Sequence, residues 1–239
     1  PGCHHQLRRL HQCGRLRGEP RRRLQANALG PRNLAQAATK TGARLVHVST
    51  DYVFSGRENG GIAQDEATIP GPISAYGSTK LMGEKYVEQF CHRHFIVRTA
   101  WLYSYYGKNF VKTIVNAGKK FGKLEVVNDQ CGNPTNAVDL AHEILQLCVT
   151  HEYGLYHCTG EGICSWYDFA SEIIRLSGVD APWPPAPARS IRPSTPKAPT
   201  APSGAPSITG CSAAPSATKC GTGKPPSPAS SSTGMGKMG

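Results

Sequence analysis

At 239 residues and 25.6 kDa, the chain is long enough for one α/β domain, or one domain with an appendage. No run of eighteen apolar residues exists, so no membrane-spanning helix is expected, and no apolar stretch follows the basic N-terminal residues as a secretory signal requires. The formal charge of +11 sits in two flanks: residues 1–26 hold seven Arg against Glu19 alone, and residues 181–239 hold six Lys or Arg and no acid, yet neither has the interleaved aromatics or binding module of a nucleic-acid binder.

Residues 1–26 read as an Arg-rich segment without a folding signal, because their apolar residues are too sparse to define a face. Cys3, His4, His5, His11 and Cys13 are not read as a metal site, since zinc needs a second ligand pair at a defined distance. From residue 27 onward, short β-rich runs alternate with amphipathic helical stretches, which predicts a parallel α/β sheet. Pro31 suits a first helical position; Leu34, Ala37 and Ala38 share one face, and Gly42 ends the helix. Residues 44–49 (RLVHVS) read as a buried strand, 76–91 as a helix, and 95–99 (FIVRT) as a second strand. A helix over 109–121 turns Phe110, Ile114 and Val115 inward, and a short strand follows at 124–127. A helix over 136–149 buries Leu140, Ile144, Leu145 and Cys148, and residues 155–158 form another strand. The last helix, 165–176, opens with Ser165 and Asp168 at capping-box spacing. Residues 181–239 contain 13 of the 19 prolines, a single aromatic residue, Trp183, and only Ile191 and Ile208 as branched aliphatic residues, a composition expected to stay disordered. Five cysteines lie between the flanks (Cys91, Cys131, Cys148, Cys158 and Cys164) with no CxxC spacing, and read as free thiols of a reducing, cytoplasmic compartment.

The chemistry-bearing residues stand at strand ends, where open α/β sheets place their sites. Ser49-Thr50-Asp51 closes the first predicted strand, and Tyr76-Gly-Ser-Thr-Lys80 follows at a helix start. A four-residue separation puts Tyr76 and Lys80 on one helical face. A free phenol, with a pKa of about 10, exchanges protons poorly near neutrality; a neighbouring ammonium favours the phenolate and lowers that pKa. Thr50 can then hydrogen-bond the reacting oxygen. The bland reading of Tyr-x-x-x-Lys is a solvated tyrosine beside a surface lysine; the strand-end hydroxyl and the surrounding α/β alternation favour the catalytic one. His47, inside an apolar strand, reads as a satisfied core histidine before a catalytic base. Trp101 follows the next strand on the same sheet edge, either as a ligand contact or as core packing.

Taken in order, Ser49-Thr-Asp-Tyr-Val-Phe54, Tyr76-Gly-Ser-Thr-Lys-Leu-Met-Gly-Glu84, Arg98-Thr-Ala-Trp101, Asn109-Phe and Asn128-Asp-Gln-Cys-Gly-Asn-Pro-Thr135 resemble the dTDP-4-dehydrorhamnose reductase family of extended short-chain dehydrogenase/reductases. The resemblance runs over about residues 27–180, and the first motif differs from that of the sugar-nucleotide epimerase branch. It implies a Rossmann-like, doubly wound parallel sheet and a nicotinamide-dependent reduction of the C4 ketone of dTDP-4-dehydro-L-rhamnose to dTDP-L-rhamnose. By analogy Tyr76 is the proton donor, Lys80 tunes Tyr76 and holds the ribose of NADPH or NADH, and Thr50 assists at the reacting oxygen. Thr50, Asp51 and Trp101 contact the dTDP-sugar substrate. A homodimer is compatible with the family, no resident metal is expected, and the alternative from another class is a non-catalytic regulatory subunit resembling that of methionine adenosyltransferase.

The family's opening strand, Gly-rich turn and helix, which receive the cofactor pyrophosphate, have no counterpart in residues 1–26. The first βα unit therefore reads as missing, and three segments result: 1–26, a partial reductase domain at 27–180, and the tail at 181–239. Residues 3–17 and 203–210 can be back-translated so that a neighbouring reading frame gives family-like text. The flanks are thus expected to be frame-shifted, and the nucleotide sequence decides it.

Overall fold

The computed structural model describes residues 20–56, 63–121, 124–179 and the strand at 186–188. The expectations for residues 1–19, and for the tail apart from that strand, lie outside the described residues. A continuous helical run opens the described chain: α1 (Pro20–Leu24), a π-helical turn at Gln25–Leu29, and α2 (Gly30–Thr41). The irregularity has a local cause, since Pro31 has no N–H for the Asn27 carbonyl four residues back and its ring crowds that oxygen. The helix thus begins well before Pro31, and burial of Asn27 and Ala28 carries it through a stretch with weak local signals. The inward face of α2 is Pro31, Ala35 and Ala38; Leu34 and Ala37 are exposed, contrary to the sequence expectation. Gly42 closes α2 at φ +67°, donating to the Ala38 and Thr39 carbonyls.

Then follow β1 (Leu45–Thr50), a 3-10 turn at Asp51–Val53, α3 (Ala75–Phe90), β2 (His94–Thr99), β3 (Leu102–Tyr103) and α4 (Phe110–Phe121). The chain continues through β4 (Glu125–Val127), β5 (Cys131–Gly132), β6 (Thr135–Asn136), α5 (Ala137–Val149), β7 (Gly154–His157), β8 (Cys164–Ser165), α6 (Trp166–Ser177) and β9 (Ala186–Ala188). Among the described residues the main sheet has order β1-β2-β7, all parallel, with Thr50 opposite Thr99 and Arg98 opposite His157. β3 pairs with β6 and β4 with β9 in parallel, and β5 pairs with β8 antiparallel. β9 places three residues of the otherwise Pro-rich tail in regular structure.

Alternation along β2 divides the core. Ile96 packs with Ala35, Ala38, Val87 and Cys91 under α2 and α3, whereas Phe95 and Val97 pack with Leu140 and Leu147 under α5. Helices on both faces make the sheet doubly wound, as expected. On α5, Leu145 is exposed, contrary to the sequence expectation, and Leu147 is buried. A third cluster joins Ile114 of α4, Val126 of β4 and Phe169, Ala170, Ile173 and Ile174 of α6. The capping box holds: Ser165 Oγ accepts from Asp168 N at 3.0 Å, and Asp168 Oδ2 accepts from Ser165 N at 3.0 Å. All five described cysteines are free thiols.

Candidate active site

The end of β1 and the start of α3 meet backbone to backbone. Ser74 caps α3 by accepting from Gly77 N at 2.9 Å. A Cβ on Gly77 would lie 2.0 Å from the Tyr52 carbonyl oxygen, so only glycine lets the turn after β1 approach this closely. Beside it the Tyr52 and Tyr76 rings meet edge to face, 5.7 Å between centroids. Six residues further along α3, Gly83 performs the same service for the π-turn, where a Cβ would lie 2.1 Å from the Asn27 carbonyl oxygen. Asn27 Nδ2 also donates to Thr79 Oγ1 at 3.1 Å.

This docking turns Lys80 inward. The residue is half-buried, and its ammonium donates to the Val48 carbonyl at 2.6 Å. Burial pushes the Lys80 ammonium down to about 8, and the Glu84 carboxylate opposes that fall. Among the described residues Lys80 makes no other hydrogen bond, so two of its three N–H donors remain for a ligand. Such a pair of donors beside a half-buried tyrosine suits the vicinal hydroxyls of a nicotinamide ribose, and the ribose end of the cofactor therefore fits. A Gly-rich strand–turn–helix for its pyrophosphate does not occur among the described residues.

Thr50 and Asp51 are both buried, at 7 % and 3 % exposure. The Thr50 hydroxyl donates to Asp51 Oδ1 at 2.9 Å and accepts from Tyr52 N at 3.3 Å. To serve a reacting oxygen, its proton must rotate away from Asp51. Burial raises the Asp51 carboxyl to about 6, against smaller opposing effects of Thr50 and nearby backbone N–H groups. The end of β1 thus brings Tyr76, Lys80, Thr50 and Asp51 together.

Trp101 lies just past the end of β2. Its φ of +45° is the one positive value among the described non-glycine residues, a conformation costing about 1 kcal/mol. The indole stacks on Trp166 at 3.6 Å between centroids and 11° between planes, with Phe169 also in contact. The ring is thus packed against α6, while the residue itself stays half-buried. His47 departs from expectation: it lies in the core, but its Nε2 is buried and has no hydrogen-bond partner among the described residues. Burial, then the Lys80 charge, pushes its pKa well below the ordinary value and keeps the imidazole neutral.

The contacts of Asn27 with Thr79 and of Arg98 with Glu84 are not evident from the sequence motifs. Arg98 left a signal, because a guanidinium inside the apolar run FIVRT requires a buried counter-charge. Among the described residues no group of three or more His, Cys, Asp or Glu could hold a metal ion, and no helix is long and apolar enough to cross a membrane. The N-terminal Cys/His group lies outside the described residues.

Residues 15–219 match the model of the RmlD substrate binding domain, a wider span than the motifs alone cover. The chain belongs to that family. It is 39 % identical over 166 residues to the dTDP-4-dehydrorhamnose reductase of Escherichia coli, covering 64 % of this chain and 53 % of that protein. A crystal structure of a dTDP-4-dehydrorhamnose reductase from Clostridium acetobutylicum superposes with a TM-score of 0.72 at 43 % identity, covering 78 % of this chain and 68 % of that one. The Bacillus anthracis enzyme in complex with NADP gives 0.66 at 40 % identity, covering 73 % and 63 %. This RmlD-type chain has the Rossmann-like α/β fold of these structures, and it spans about half the length of the curated relatives it matches.

Proposed function

We propose that this chain carries the proton-transfer half of a nicotinamide-dependent dTDP-4-dehydrorhamnose reductase, acting in the cytoplasm on dTDP-4-dehydro-L-rhamnose and giving dTDP-L-rhamnose. The arrangement of Tyr76 and Lys80 carries the reading: both lie on one face of α3, at the end of β1, with the Lys80 ammonium pinned to Val48 and two donors to spare. When bound, NADPH (or NADH) supplies the hydride to C4. The Tyr76 phenol gives its proton to the C4 oxygen as charge develops there, and proton return from solvent resets it. Lys80 favours the phenolate so formed and orients the ribose. Thr50, once its proton turns from Asp51, donates to the same oxygen, while Asp51 and Trp101 border the sugar nucleotide.

Presence of Tyr76, Lys80 and Thr50 together supports an enzyme over the regulatory-subunit alternative, since a binding module has no use for a proton-transfer pair. A homodimer remains part of the proposal, as does the frame-shifted origin of the flanks. The test is steady-state reduction of dTDP-4-dehydro-L-rhamnose, read as loss of NADPH absorbance. It uses the 239-residue polypeptide and a version with flanks restored in frame. Tyr76→Phe is expected to lower kcat by about 10²–10⁴-fold; a variant as fast as its parent overturns the assignment.

A further inference from the structure

The sheet face under α3 carries polar groups that the reduction itself does not consume. Glu84 follows Lys80 by one helical turn and is fully buried. Its carboxylate accepts from Arg98 Nε at 3.1 and 3.3 Å, from Arg98 Nη2 at 2.7 Å, and from the Ser49 hydroxyl. Arg98 is itself 2 % exposed, with its guanidinium 5.1 Å over the Phe54 ring. Successive residues of β1 thus grip successive turns of α3: the Val48 carbonyl takes Lys80, and the Ser49 hydroxyl takes Glu84.

We infer that Glu84 is a positioning residue for Lys80: clamped by Arg98 and Ser49, its carboxylate keeps the neighbouring ammonium protonated and held against the end of β1. The purpose of that ammonium rests on the reductase reading; its protonation does not. The groups facing this region can be named element by element. α3 contributes Tyr76 and Glu84, β1 contributes His47, and the turn after β1 contributes Asp51. β2 contributes Arg98, and β7 contributes His157, 3.5 Å from Arg98. Glu66 accepts from the His157 backbone at 2.8 Å. Burial holds His47 and His157 toward their neutral forms. Glu84 is the anion that opposes the desolvation of Lys80. Without it, burial acts unopposed and the ammonium loses its proton closer to neutrality.

The test reads Lys80 directly, by carbon NMR of isotopically labelled lysine in the full chain, with the signal assigned through Lys80→Arg. In Glu84→Gln, the Lys80 titration is expected about one pH unit or more below that of the parent, a tenfold change in its proton affinity. Glu84→Asp is expected to restore most of the difference. Because Glu84→Gln leaves Arg98 unpaired, Glu84→Gln combined with Arg98→Met is measured beside it and is expected to move the signal the same way. An unchanged titration in the folded variants overturns the inference. So does failure of both to fold, which makes the network a brace and nothing more. A shifted titration in a chain without NADPH-dependent turnover sinks the reductase reading and leaves this one standing.

Discussion

Against α5 the sheet presents Phe95 and Val97, packed on Leu140 and Leu147, while the alternate residues of the same strand, Ile96 and Arg98, meet Val87 and Glu84 beneath α2 and α3. One face is held by apolar area, the other partly by a desolvated ion pair. Apolar area is additive and tolerant of volume-conserving exchange. A buried pair has little net worth over a hydrophobic replacement, but loses heavily when one member goes alone. The costly construction lies where a charge near the surface must be fixed in position, under Lys80. The α5 face, with no such duty, meets β2 through apolar side chains, although Glu143 is buried on the same helix.

Three changes test the contrast, and the largest comes first. Arg98→Ala strands Glu84 and is expected to cost about 3–5 kcal/mol in denaturant unfolding. Leu147→Ala on the opposite face is expected to cost about 2–4 kcal/mol. The distinction sharpens in the double change of Glu84→Gln with Arg98→Met, which is expected to recover much of the Arg98→Ala loss. An Arg98→Ala cost below about 1 kcal/mol, as for an exposed pair, breaks the comparison.

Asp51 offers the next effect. Its folded pKa of about 6 lies above the unfolded carboxylate value, so the native state holds the proton more tightly and stability falls as pH rises from about 4 to 6. Asp51→Asn is expected to flatten that stretch of the stability curve and to gain about 2–3 kcal/mol at pH 7, since an amide oxygen still accepts from Thr50. Equal slopes in parent and variant, measured by urea unfolding across the window, dispose of the buried-carboxyl account. The smallest effect is expected at the α6 cap, where Ser165→Ala costs about 1 kcal/mol and leaves turnover unchanged.

Helices α2 to α6 and the three main strands were legible because each repeats its apolar period and most carry a cap or breaker, whereas α1 was not, lying in an Arg-rich stretch without an apolar face. β3, β5, β6 and β8 were not, since two residues contain no period, and their pairing is decided by segments far away in the chain. The α2 face was assigned correctly at Ala38 but not at Leu34 and Ala37, because the small Ala35 wins the inside when two helices approach closely and Leu34 is left out. Tyr76, Lys80 and Thr50 stood out by residue type and position. Glu84 did not, since its importance depends on meeting Arg98 and Ser49, which sequence order keeps apart.

Gly83 against the Asn27 carbonyl fixes the gap between α3 and the π-turn by peptide unit rather than by side chain. Such a seam has no rotamers with which to absorb an error. Substitutions there act like a change of gauge, lifting the whole helix and every group it carries, so random mutagenesis would find position 83 among the least forgiving in the chain.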